Sequence, residues 1–364
     1  MGMNPRTPLG ILVLTLAGAC GGERPAPPSP PPPPAGPATL SAGPGGELVY
    51  VTNEDSRNLT VIDATSDSVV ATIEVGTRPR GVKVSPDGRT VYVALSGSPK
   101  CPPTMPDAEC EKLKADRTKD GVAVVDVATR TTVKTLPAGL DPETFDVSPD
   151  GSRLFVSNED ADSATIVDIA SGKATANVKV GREPEGVTLA PDGKTVWVTG
   201  ETDHNITGID VASGKAIASI DILGRRPRGI GFLPNGSRAY VTNEVTGTVS
   251  VVDIPGRKTI KQIAMPDGTR PMGVLVTPDG KRIYVTNGRG KTVSVIDPAT
   301  DQILQSVEVG TRPWGIAMTR DGRKLYTANG PDNNVSVVDV ASMTVLRKVP
   351  VGSVPWGVAI GPKP

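Results

Sequence analysis

Histidine is almost absent: a chain of 364 residues has one, His204. Haem, multi-copper and three-histidine zinc sites each need more imidazole than that. No C-x-x-C-H haem attachment occurs. The three cysteines, Cys20, Cys101 and Cys110, cannot make a cysteine-only zinc site. Net charge is missing too, since 39 Lys and Arg balance 39 Asp and Glu. A general nucleic-acid binder would need a basic excess to displace counterions, so nucleic acid is not an expected partner. Aromatic residues make up only 3%, so Val, Ile and Ala must build most of any core. There is no G-x-S-x-G elbow and no cluster of histidine bases. No cofactor, no resident metal and no catalytic residue are therefore expected. Glycine and proline, by contrast, are frequent, at 41 and 36. That pairing suits many turns between short strands.

Residues 1–19 read as a signal peptide. Arg6 supplies the positive start, and the apolar run Leu9 to Ala19 is too short to span a bilayer comfortably. Leu16-Ala17-Gly18-Ala19-Cys20 resembles a bacterial lipobox, which implies cleavage before Cys20 and a lipid on it. Residues 20–46 form a tether, mostly proline over 25–37, which favours extended polyproline II and cannot fold into a core. The expected location is the bacterial cell envelope, the chain exported and held to a membrane through Cys20.

Self-similarity dominates the remainder, 47–364. A Pro-x-Gly element recurs at Pro79, Pro184, Pro227, Pro271, Pro313 and Pro355, with Pro142-Glu143-Thr144 as a variant copy. The spacings are 63, 42, 43, 44, 42 and 42 residues. Within each period a β-turn follows, such as Pro86-Asp87-Gly88 or Pro278-Asp279-Gly280. Next comes a strand like Tyr50-Val51-Thr52-Asn53, Tyr240-Val241-Thr242-Asn243 or Tyr284-Val285-Thr286-Asn287. The third strand ends in Asp (Asp63, Asp126, Asp168, Asp210, Asp253, Asp297, Asp339), and a fourth runs toward a Val-Gly such as Val75-Gly76.

Four short strands per repeat make a propeller blade. The fold class is all-β, a seven-bladed β-propeller. The first repeat begins at its second strand, near Glu47, and the chain stops after one innermost strand. The C-terminal strand should therefore pair with the N-terminal three and close the ring. Pro-x-Gly suits the innermost strand, where backbones crowd the axis. The set of motifs resembles the YVTN family of seven-bladed propellers, known from exported and surface-layer proteins. That resemblance implies a fold and a location more than an activity.

The long gap holds an insert, 96–120, between the second and third strands of its blade. In an oxidising compartment Cys101 and Cys110 should form a disulfide within it. That connection lies on the face of the Pro-x-Gly entries, beside the mouth of the central channel. The residues after the repeated proline are Arg80, Glu143, Glu185, Arg228, Met272, Trp314 and Trp356. They form the expected ligand-binding mouth. Blades three and four give it an acidic sector, joined by Glu159 and Glu201. The opposite side offers two tryptophans that can stack a flat or sugar-like ligand. Inter-blade ion pairs are the plainer use of the same charges. Clustered carboxylates could also hold Ca²⁺, but no regular calcium loop occurs. His204 falls in a loop of the acidic sector, and Gly288-Arg289-Gly290-Lys291-Thr292 reads as a turn.

The functional expectation is a non-catalytic, monomeric envelope propeller offering its mouth and insert to a small molecule or a protein. Two alternatives stand beside it: a metal-assisted, lactonase-like hydrolase, and an accessory partner of a periplasmic redox enzyme.

Overall fold

A computed structural model describes residues 46–100, 105, 109 and 112–363. The expected signal peptide, lipidated Cys20, nearly all of the tether, and the Cys101–Cys110 pair lie outside the described residues.

Seven four-stranded antiparallel sheets are arranged as blades, numbered here from the N-terminus. Blade 2 is representative: Val82–Val84, Thr90–Leu95, Gly121–Asp126 and Thr131–Leu136 run from the innermost strand to the outermost. Blade 1 closes the ring as the sequence implies. The C-terminal strand Pro355–Pro362 is its innermost member and pairs antiparallel with Glu47–Asn53, register Leu48 to Gly361 and Val51 to Val358. Asn58–Asp63 and Ser68–Glu74 complete it.

A strand buried on both faces sends alternate side chains to opposite neighbours. Leu48 and Tyr50 pack toward blade 2 with Val82, Val91 and Val93, while Val49 and Val51 pack toward blade 7 with Tyr326, Ala328 and Val337. Each neighbouring pair of blades shares one such apolar cluster, the seventh joining blade 7 to blade 1. Each valine so buried contributes about 2 kcal/mol relative to exposure. The outermost strands lose this shelter, and their apolar residues, such as Val133 and Leu346, are exposed.

The Tyr-Val-Thr-Asn strand does more than fill space. Thr52 Oγ1 accepts from the Gly357 N–H at 2.8 Å and donates to the Arg80 carbonyl of the next blade at 2.6 Å. Thr199, Thr242 and Thr286 relay in the same way to the carbonyls of Arg228, Met272 and Trp314. The asparagine ties the second strand to the third: Asn243 Nδ2 donates to Ser250 Oγ and Asn287 Nδ2 to Ser294 Oγ, both at 2.8 Å. Tyr326 reaches across to Asp67 Oδ1 at 2.5 Å on the opposite face. These bonds satisfy buried polar groups and knit blades together. The glycine of Pro-x-Gly is required by close approach. A Cβ on Gly357 would lie 2.5 Å from the Arg80 carbonyl oxygen, and one on Gly315 2.6 Å from that of Trp356.

Candidate functional site: the channel mouth

Two repeat positions build the rim of the mouth. The residue before each proline takes a left-handed backbone, with φ between 45° at Arg78 and 61° at Arg226. Its carbonyl accepts from the residue that follows the second strand: Glu159 N–H to Asp141 at 3.0 Å, Glu201 to Glu183 at 3.1 Å, Glu244 to Arg226 at 3.0 Å. The residue after the proline is fixed from behind by the threonine relay. Side chains from both positions therefore meet above the channel.

The acidic sector expected from the sequence is present but compensated. Arg228, only 10% exposed, inserts between three carboxylates. Its Nη1 contacts Glu185 and Glu201, its Nη2 lies 2.8 Å from Glu244 Oε2, and its Nε donates to the same oxygen at 2.9 Å. Arg226 Nε donates to Glu201 Oε2 at 2.5 Å, and Arg270 lies 3.5 Å from Glu244. Burial pushes the Glu201 carboxyl up to about 8 against the pull of Arg226. Burial also presses the Arg228 guanidinium down, with Glu244 opposing. At Glu244 burial is opposed by Arg228, Arg226 and Arg270, which together outweigh it, and its carboxyl sits below the usual range.

A second network centres on Arg80. Its Nη1 contacts Glu143 and lies 3.7 Å from Glu159, and its Nε lies 3.4 Å from Glu54. Arg78 donates to Glu54 Oε1 at 3.0 Å and to the Ser98 carbonyl at 2.6 Å. Asp141 accepts from Ser96 Oγ, and its burial raises its carboxyl above the ordinary range. Asp141, Glu143 and Glu159 offer ligand oxygens within 4.8 Å of one another, a hard-oxygen set of the kind divalent cations take. The Arg80 guanidinium already supplies positive charge to two of the three.

The opposite side is aromatic. Trp314 and Trp356 lie 5.2 Å apart between ring centroids, tilted by 31°. Arg312 stands over Trp314 at 5.1 Å, and Arg228 at 5.5 Å. Between the two sides opens a cavity of about 730 Å³, within the size range of small-molecule sites. The insert walls it. Lys100 Nζ is 2.7 Å from Asp55 and 3.2 Å from Glu54 in blade 1. Arg117 pairs with Asp160 in blade 3, and Leu113 and Ala115 face the cavity. Below it a narrower, mainly apolar channel of about 210 Å³ is ringed by the repeat glycines. Glu185, Arg228, Trp314 and Trp356 line both spaces and so mark the boundary between them.

Six of the seven expected mouth residues thus line the cavity: Arg80, Glu143, Glu185, Arg228, Trp314 and Trp356. Met272 does not. It is 3% exposed and lines the channel beneath, where an apolar side chain gains by turning from water. His204 sits apart, its Nδ1 2.7 Å from the Glu201 carbonyl oxygen, in a side pocket with Glu183 and Arg225. Glu54 and Glu244 were missed as members of the networks. Their signal was available, because each follows an Asn-terminated strand as Glu159 does.

Two family models match parts of the chain: a seven-bladed β-propeller lactonase over 222–351 and a YNCE-like β-propeller over 107–192. No protein of curated function matches. Among solved structures, hydrazine synthase of Kuenenia stuttgartiensis is 22% identical, with 78% of this chain and 90% of that chain covered and a TM-score of 0.67. A protein of unknown function from Desulfotomaculum acetoxidans is 15% identical, covering 87% and 99%, with a TM-score of 0.72. A candidate 6-phosphogluconolactonase of Bacteroides fragilis is 18% identical, covering 86% and 98%, with a TM-score of 0.70. At such identities the likeness carries the fold alone.

Proposed function

We propose that this chain is a non-catalytic binding propeller of the YVTN-repeat type, exported and held at a bacterial envelope through lipid on Cys20. The proline-rich tether lifts the propeller from the membrane, and the insert, stapled by Cys101 and Cys110, borders the site. The mouth receives a small ligand or a projecting part of a protein. The observation that carries this reading is the cavity of about 730 Å³ between the tryptophan pair and two ion-pair networks. Its buried carboxylates are engaged: Glu143 by Arg80 and Glu185 by Arg228. That arrangement preorganises a surface more than it poises a base.

Metal-assisted lactone hydrolysis is the second reading. It is favoured by the lactonase match over 222–351 and by the Asp141, Glu143 and Glu159 oxygens. Those carboxylates would hold a divalent ion, which would polarise the lactone carbonyl. Arg80 would have to yield Glu143 to it.

One experiment separates the two. The full-length protein is screened by thermal shift against small metabolites, and against lactones with Ca²⁺ or Mg²⁺ while turnover is followed. A ligand that binds only the folded state raises Tm. The binding reading expects unconsumed hits that raise the Tm of wild type and not of Trp314→Ala/Trp356→Ala. Metal-dependent lactone turnover, lost in Glu143→Gln, would replace it with the hydrolase.

A further inference from the structure

The cations around the mouth are not equivalent. Arg78, Arg80, Lys100, Arg117, Arg226 and Arg228 each have a carboxylate within 4 Å. Arg312 lines the same cavity, is exposed, and has none among the described residues. Its guanidinium is held over Trp314 instead. With no acceptor on its side chain among the described residues, the guanidinium keeps its N–H donors free for an anion. The backbone there is left-handed, at φ 53°, a conformation glycine would adopt with less strain. Beside it, Trp356 is half-buried and closes the floor of the cavity.

Resting on the reading of the mouth as a binding site, we infer that its ligand is a planar aromatic ring bearing an anionic group. The ring lies against Trp356 and the anion meets Arg312. The charge logic is one-sided. An anion here acquires an exposed cation that no carboxylate among the described residues neutralises, so no ion pair has to be broken on binding. A cationic ligand on the aromatic side would have to displace Arg312. Across the cavity it would meet Glu143 and Glu185 already paired, with Asp141 the buried carboxylate that has no cation within 4 Å among the described residues.

The probe is 2-naphthoate, measured by titration calorimetry on the full-length protein, with 2-naphthylmethanol and 2-naphthylmethylammonium for comparison. Quenching of indole fluorescence is a second readout, since the third tryptophan, Trp197, is 3% exposed. Naphthoate should bind wild type more tightly than either comparator. Arg312→Gln should weaken it about tenfold, the size of one lost charge-assisted hydrogen bond, and leave the alcohol unchanged. Arg312 belongs to neither buried network, so an unaltered Tm will verify that this variant is folded. Tighter binding of the ammonium, or naphthoate binding indifferent to Arg312→Gln, overturns the inference. So does no naphthoate binding at all. In that case, metabolite hits that still vanish in Trp314→Ala/Trp356→Ala keep the mouth as the site and reject only this ligand class. Hits that persist in that variant reject the mouth itself.

Discussion

Removing residues 354–364 should leave an open ring that aggregates. The strand Pro355–Pro362 is the inner member of blade 1, and its loss breaks the ladder from Glu47–Pro362 to Asn53–Pro355. Two interfaces suffer together. Ala359 leaves the cluster between blades 1 and 2, and Val358 and Ile360 leave the one between blades 7 and 1. The strand Glu47–Asn53 would then present an open edge with Val49 and Val51 beside it, a template for pairing with another chain. Gly357 N–H would no longer bond Thr52, the relay that grips the Arg80 carbonyl. Size-exclusion chromatography and calorimetry check this. A monomeric truncated protein with an unchanged transition would show that the ring does not depend on its closing strand.

Arg228→Met should be the most damaging single change at the mouth, costing about 3–5 kcal/mol near neutral pH. The loss is larger than for a surface arginine because three carboxylates, those of Glu185, Glu201 and Glu244, are less than a tenth exposed and share this cation. Methionine fills the volume, leaves Glu201 and Glu244 to Arg226 and Arg270, and leaves Glu185 with no cation within 4 Å among the described residues. The pH dependence has a definite sign. Burial already raises the Glu201 carboxyl to about 8, and loss of a neighbouring positive charge raises such groups further. A carboxyl raised in the folded state contributes stability that is present below its unfolded value and is lost as pH rises through the folded one. The deficit of Arg228→Met should therefore shrink as pH falls from 8 toward 5. Urea unfolding at several pH values decides the matter. A cost under about 1 kcal/mol, the size expected of an exposed pair, would mean that the network is not buried as described.

Much of the fold could be read from the sequence because its signals repeat in register. Any one Pro-x-Gly is weak, but the copies at Pro184, Pro227, Pro271, Pro313 and Pro355, together with Pro79 and the variant copy at Pro142, fix the innermost strand and the blade count. The half-repeats at the two ends fix the closure. Glycine at the axis was readable for the same reason, since one crowded geometry recurs at Gly315 and Gly357. The mouth was legible as a set of positions and not as a set of partners. Arg80 pairs with Glu143 and Arg228 with Glu185 from equivalent places, yet the networks also take in Glu54 and Glu244, which reach the rim from a different repeat position. Met272 shows the remaining limit. The repeat places its backbone at the rim, while the side chain's own hydrophobicity turns it into the channel. The threonine relay was hidden in plain view, because a hydroxyl in a strand does not announce which neighbour it bonds.

The central claim is that the mouth is the working site, and crosslinked capture from native envelope tests it most directly. Wild type is compared with Trp314→Ala/Trp356→Ala/Glu185→Gln, with folding of the variant verified by its thermal transition. The account predicts that wild type captures a defined ligand or partner and that the folded variant loses it. Capture of the same set by both would contradict the account, assign the mouth a structural role, and move attention to the insert.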